Sequence, residues 1–212
     1  MLARSLSAVA RVRARLGSAV PPRENLIARH VRGRSFVDVG CMWSVHGALC
    51  FAAEDAGASS VTGVDVMDPT ERFNAERARR DSPMRFVLGD LHEPATIAEV
   101  GPHDVVWCSG VLYHAPHPLL TLERLRELTT GTLLLATETI AETPGRPDTC
   151  VIAPSPTEHP NAEPARGPGQ SYGPWYWGIS PSALRTMLKL TGFEVTEEHR
   201  TPFHVTVVAT PR

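Results

Sequence analysis

The sequence predicts an α/β protein: a doubly wound, mostly parallel seven-stranded sheet that ends in an antiparallel hairpin. Three observations carry this expectation. From residue 35 to about residue 138, short apolar runs alternate with helical patterns, as parallel strands joined by crossover helices require. Three successive runs, 36–39, 60–65 and 85–90, each deliver an aspartate towards their carboxyl end: Asp38, Asp65 and Asp90. Two further strand-like runs, 193–199 and 204–210, close the sequence with only a tight Pro202-containing connection between them.

The 212 residues are 42% hydrophobic and 21% charged, which suits one globular domain with a sizeable core. Lys and Arg number 21 against 23 Asp and Glu, a net charge of −2, so the chain lacks the basic field that nucleic acid demands. A small-molecule partner is expected, with no nucleic acid and no membrane; the oligomeric state is open. No apolar run reaches membrane-spanning length. Lys189 is the only lysine, and Ala, Pro and Gly abound, a composition of GC-rich bacterial genomes. Cys41, Cys50, Cys108 and Cys150 are far apart without a C-x-x-C pair, which reads as thiols in a reducing cytoplasm.

Residues 1–34 are expected to form a helical cap. Leu2, Leu6, Val9, Val12 and Leu16 recur at helical spacing among arginines; the Arg- and Ser-rich, acid-free composition also describes a transit peptide. A basic amphipathic helix that packs on the domain or roofs its site is the simpler reading. After the break at 17–22, residues 23–31 form a second short helix. The central strand follows, then a turn and a helix marked by Leu49, Ala52, Ala53 and Ala56 and closed by Gly57. The strand 60–65 leads to a charged helix over about 69–80 and to the strand 85–90. Residues 104–110 are the fourth strand. Pro118 opens a helix whose apolar face is Leu119, Leu122, Leu125 and Leu128, and residues 131–138 are the fifth strand.

The stretch 141–178 breaks this rhythm. It is rich in Pro and Gly and ends in Tyr172-Gly173-Pro174-Trp175-Tyr176-Trp177. A loop of this length in a compact domain is a lid or a linker, and the aromatics favour a lid inserted in the domain 35–212. Flat faces with polar tips suit Tyr172, Trp175, Tyr176 and Trp177 to hold a substrate, although the same cluster could anchor the loop to the core. Ser180 as N-cap, Pro181 at the first helical position, and Leu184, Met187 and Leu188 as the buried stripe define the last helix, ended by Gly192.

The turn after the first strand, Asp38-Val39-Gly40-Cys41-Met42-Trp43-Ser44, joins a strand to a helix and so offers a ready site for a polar ligand. A dinucleotide fingerprint starting at Gly40 would need glycines where Met42 and Val45 stand. The stretch resembles instead the first motif of class I S-adenosylmethionine-dependent methyltransferases, roughly D/E-x-G-x-G-x-G, through Asp38, Gly40 and the small Ser44, with Met42 in place of the middle glycine. Five βα units followed by a hairpin match the Rossmann-like methyltransferase fold, so the resemblance covers about residues 35–210. It implies S-adenosyl-L-methionine as cofactor. Asp65 lies 25 residues after Gly40, close to the ~20 expected of an acid that grips ribose hydroxyls. By resemblance, Asp65 with Val66 takes the ribose and Asp90 with the backbone of Leu91 takes the adenine edge. Asp38, Gly40, Met42, Trp43, Ser44 and Ser109 would hold the methionine end.

The ends of the fourth and fifth strands are left for the acceptor, and they carry Tyr113, His114, His117 and Glu138. Methyl transfer to a neutral hydroxyl needs a base, and a histidine held by a carboxylate supplies one. The expected catalytic set is His114 as base, Glu138 orienting it and His117 in reserve, with Tyr113 against the substrate. His114-x-x-His117 with Glu138 is a weak metal pattern, and no resident metal is expected. The segment 110–114 is also similar to the tRNA wobble-uridine carboxymethyltransferase family. The acidic charge and aromatic lid favour O-methylation of a sugar or glycosylated small molecule; tRNA modification and a non-catalytic S-adenosylmethionine-binding domain are the alternatives.

Overall fold

The computed structural model describes residues 20–154 and 175–212. The expected helix over 1–16 lies outside these residues. Helices α1 (Arg23–Val31), α2 (Ala48–Asp55), α3 (Glu71–Arg80), α4 (Pro94–Val100), α5 (Pro118–Leu128) and α6 (Pro181–Leu190) surround a seven-stranded sheet. Its strands are β1 (Ser35–Val39), β2 (Ser60–Asp65), β3 (Arg85–Leu88), β4 (His103–Ser109), β5 (Thr129–Glu138), β8 (Phe193–Thr201) and β9 (His204–Pro211). The order is β3-β2-β1-β4-β5-β9-β8. The first five strands run parallel, and β9 pairs antiparallel with both β5 and β8. The doubly wound sheet with a terminal hairpin is therefore as the sequence predicts.

Successive side chains of each strand point to opposite faces, and the core divides accordingly. Val37, Val39, Val106 and Leu135 pack with Leu122, Leu125, Leu184 and Leu188 of α5 and α6. Phe36, Trp107 and Leu134 pack on the other face with Leu26 and Ile27 of α1, Phe51 of α2 and Phe73 of α3. The strand order runs outward from β1 in both directions, to β2 on one side and β4 on the other, which makes the carboxyl ends of β1 and β4 the switch point at which open α/β sheets bind ligands.

Local signals set most boundaries. Thr70 caps α3 by accepting from the Phe73 N–H at 3.2 Å, so this helix starts at Glu71. Ser180 caps α6 in the same way through Ala183 N–H, with Pro181 in the first turn. One expectation is corrected, and two features are added to the reading. Leu119 is exposed, because α5 turns its face at Leu122, Leu125 and Leu128 to the core and leaves Leu119 on the outer side. The seven-residue α4 was not anticipated. Within 141–178, strands β6 (Cys150–Pro154) and β7 (Trp175–Ile179) form a separate antiparallel pair, so the ends of the expected lid are ordered by each other. No described helix is long and apolar enough to cross a membrane.

Candidate active site

β1 runs into Gly40, whose φ of +81° and crowded surroundings both exclude a side chain: an added Cβ would lie 2.5 Å from Val111 Cγ2. The turn after β1 can therefore press against the loop after β4. It winds through left-handed Ser44 and His46 (φ 57° and 50°) and closes on internal bonds from Val45, His46 and Gly47 N–H to the carbonyls of Trp43, Met42 and Cys41. Met42 has no glycine-like role, since its side chain is fully buried in the α1–α3 side of the core. Trp43 is 46% exposed beside it, and Ser44 is exposed as well.

Asp65 ties this turn to the next. Its two carboxylate oxygens accept from Met42 N–H at 2.7 Å and Met67 N–H at 2.8 Å. Burial pushes its pKa up, and the backbone donors oppose that rise. A carboxylate offers about four acceptor sites, and the Met42, Met67 and Val66 N–H groups take three of them, which leaves one for a ligand hydroxyl. An acid that spans two strand-end turns with one acceptor site to spare fits a hydroxyl of the adenosyl group the sequence suggests. Val66 is half-buried just beyond it, and Leu91 is buried in the core with its backbone behind Asp90.

Asp38 is placed otherwise than at an open strand tip. It is 2% exposed on the α2 face of β1, with the Cys50 thiol 3.7 Å from Oδ2. Burial, reinforced by the Asp65 charge, raises its pKa to about 7. It therefore underlies the turn, and any influence on a ligand passes through the turn's backbone or its own proton. Asp90 accepts from His92 N–H at 2.8 Å, and the His92 ring reaches Thr121 Oγ1 at 2.8 Å. The ring of His117 lies 5.9 Å from that of His92. His117 thus joins the Asp90–His92 group at the foot of α5.

The residues expected on the acceptor side lie on the 3₁₀ turn Leu112–His114 after β4 and at the end of β5. Tyr113 and His114 set their rings 4.1 Å apart. Burial, helped by the Glu138 charge, pushes the Tyr113 hydroxyl up to about 12. Ser109 is the half-buried last residue of β4, and its carbonyl lies against Gly40. Trp177 packs on the core and its indole N–H donates to the Ala115 carbonyl at 2.8 Å, which pins β7 to this turn. Trp175 and Tyr176 belong to β7, but their side chains, like the whole of Tyr172, lie outside the described residues. Among the described residues no three His, Cys, Asp or Glu side chains converge as a metal site.

One residue here was not read as a site residue from sequence. His204 opens β9 directly opposite Glu138 of β5. Its signal is a strand register, visible only once the two strands are paired.

Residues 37–132 match the family model described as "Methyltransferase domain". The tRNA U34 carboxymethyltransferase of Alcanivorax borkumensis is 35% identical over 115 residues, 53% of this chain and 33% of that protein. The chain thus spans about a third of the length of the curated relative it matches. Among solved structures, the N-terminal domain of EvdMO1 with S-adenosylhomocysteine bound superposes with a TM-score of 0.65 at 17% identity, covering 93% of this chain and 82% of that one. The Burkholderia thailandensis 1,6-didemethyltoxoflavin-N1-methyltransferase, bound to 1,6-didemethyltoxoflavin and S-adenosylhomocysteine, gives 0.66 at 17% identity over 99% of this chain and 86% of that one. Strand order, the Gly40 turn and the matched span agree: residues 37–132 match a methyltransferase domain, and the fold around them is that of the S-adenosylhomocysteine-bound structures above.

Proposed function

We propose that the chain transfers the methyl group of S-adenosylmethionine to a hydroxyl of a small polar acceptor, a sugar or glycosylated metabolite, with a histidine as general base. The cofactor supplies an electrophilic methyl on a sulfonium. In this reading Asp65 receives a ribose hydroxyl, and Asp90 with the Leu91 backbone faces the adenine. The turn 40–44 and Ser109 hold the methionine end above the buried Asp38. The observation that carries the acceptor reading is Glu138, whose charge acts on Tyr113 on one side and on His204 on the other. A carboxylate among an imidazole and a phenol at one strand end can orient a base and stabilise the cation it becomes. His114, the first candidate for that base, lies against Tyr113.

A sugar acceptor draws support from the EvdMO1 N-terminal domain, also solved in the presence of S-adenosylhomocysteine and D-fucose with a TM-score of 0.67 at 16% identity. The second reading, modification of tRNA, is favoured by the similarity to the tRNA U34 carboxymethyltransferase. The net charge of −2 weighs against it.

Calorimetry with S-adenosylmethionine, S-adenosylhomocysteine and NAD tests the cofactor. Binding of the first two alone is expected, and Asp65→Ala should weaken it by at least about tenfold, the loss of one charged hydrogen-bonding group. A labelled-methyl assay over hexoses (D-fucose included), phenols and tRNA tests the acceptor. Labelled hexose or hexoside is expected; label in tRNA alone overturns the acceptor, and absence of cofactor binding overturns the whole reading.

A further inference from the structure

We propose that His204, held by Glu138 on the adjacent strand, is the imidazole that takes the acceptor's proton. The inference deepens the functional reading above and rests on it. On β5, Leu134 and Ala136 face the α1–α3 side of the sheet, so Glu138, two residues on, faces the same side. On β9, Val205, Val207 and Ala209 belong to the opposite cluster and Val208 to this one, which puts His204 on the Glu138 face. The two residues are register partners. Side chains so opposed start with Cβ atoms about 4.5–5.5 Å apart, within reach of a carboxylate–imidazole contact. Two long strands fix this pair, whereas His114 stands on a three-residue turn.

The charged groups acting on the His204 ring are Glu138 from β5 and Arg23 from the start of α1, while its partner on β8 is the uncharged Thr201. Burial lowers the pKa of His204, Glu138 raises it, and Arg23 lowers it; the net direction is down. The ring is therefore neutral at pH 7, the form a base requires, and Glu138 is placed to stabilise the imidazolium. In the transfer, the hydroxyl oxygen forms its bond to the methyl carbon as the carbon–sulfur bond breaks and leaves its electron pair on sulfur. The hydroxyl proton passes to a His204 nitrogen and later to water. The Arg23 charge acts on both Asp38 and His204.

NMR titration of the histidine rings in the full chain, without ligand, tests the pairing independently of turnover, with the His204 signal assigned by its loss in His204→Gln. Glu138→Gln should lower the His204 midpoint and Arg23→Gln should raise it, each by a measurable fraction of a pH unit. In the labelled-methyl assay, His204→Gln should cut kcat by ~10²-fold or more and remove the acidic limb of the pH profile. S-adenosylhomocysteine affinity should stay within about twofold, less than 0.5 kcal/mol. His114→Gln should keep that limb. An unmoved His204 midpoint in Glu138→Gln, or an intact limb in His204→Gln, overturns the proposal. A wild-type chain that binds no S-adenosylhomocysteine overturns the functional reading, and the proposal with it, in a result separate from the titration.

Discussion

Asp38 concentrates the residue-scale physics of the site. An aspartate at the end of the first strand is easily read as a ligand group, yet this one faces α2, with the Cys50 thiol on one of its oxygens and Asp65 near enough for like charges to oppose each other. Its folded pKa of about 7 exceeds the ordinary value of 3.8, so the native state holds a proton that the unfolded chain has released. That proton stabilises the fold fully below about pH 4, and the contribution is lost as pH rises towards 7. Asp38→Asn keeps the shape and removes the titration. Thermal unfolding from pH 5 to 8 should show wild type losing stability relative to Asp38→Asn by at most about 1.4 kcal/mol per pH unit, levelling above pH 7. Parallel curves would mean that Asp38 is ionised in the folded protein, with a cation or donor beside it.

At the scale of elements, Trp177 decides what the β6–β7 pair is for. Its indole is spent on the Ala115 carbonyl and on the core, so β7 is fastened to the turn that carries Tyr113 and His114. Trp177→Phe keeps the packing and removes the bond, a loss of about 1 kcal/mol. Amide exchange should quicken in 150–153 and 177–179, while S-adenosylhomocysteine affinity stays unchanged. A loss of cofactor binding equal to that of Asp65→Ala would make the tryptophan a ligand residue instead. What could be read in the chain divides along the same line. Alternating apolar runs and Ser180-Pro181 are local signals, and they place the βα units and α6. The β6–β7 pairing joins Cys150 to Ile179 across an intervening segment, and the Glu138–His204 register joins strands 66 residues apart in sequence; neither leaves a local trace. Leu119 shows the reverse failure, an apolar residue at near-helical spacing that the helix turns outward.

The whole molecule sets the proposed cofactor and acceptor sites on one sheet. Asp65 ends β2 and Asp90 follows β3 on one side of β1, Tyr113 and His114 follow β4 and Glu138 ends β5 on the other, and β9 brings His204 against β5 from beyond. Both helical layers rest on this sheet, so a ligand seated at its carboxyl edge binds only the folded chain. S-adenosylhomocysteine at 100 times its Kd should then stabilise the protein by about 2.7 kcal/mol. At roughly 2–4 °C per kcal/mol for a domain of 150–250 residues, that is a rise in Tm of about 5–10 °C, with NAD giving none. Asp65→Ala should reduce the rise at the same ligand concentration, because the carboxylate that joins the turns after β1 and β2 is gone. His204→Gln should leave it whole, because β9 lies three strands from β1. Equal losses in both variants would place the ligand across the full edge of the sheet and join the two subsites into one; a loss in His204→Gln alone would move the cofactor to the β5–β9 side.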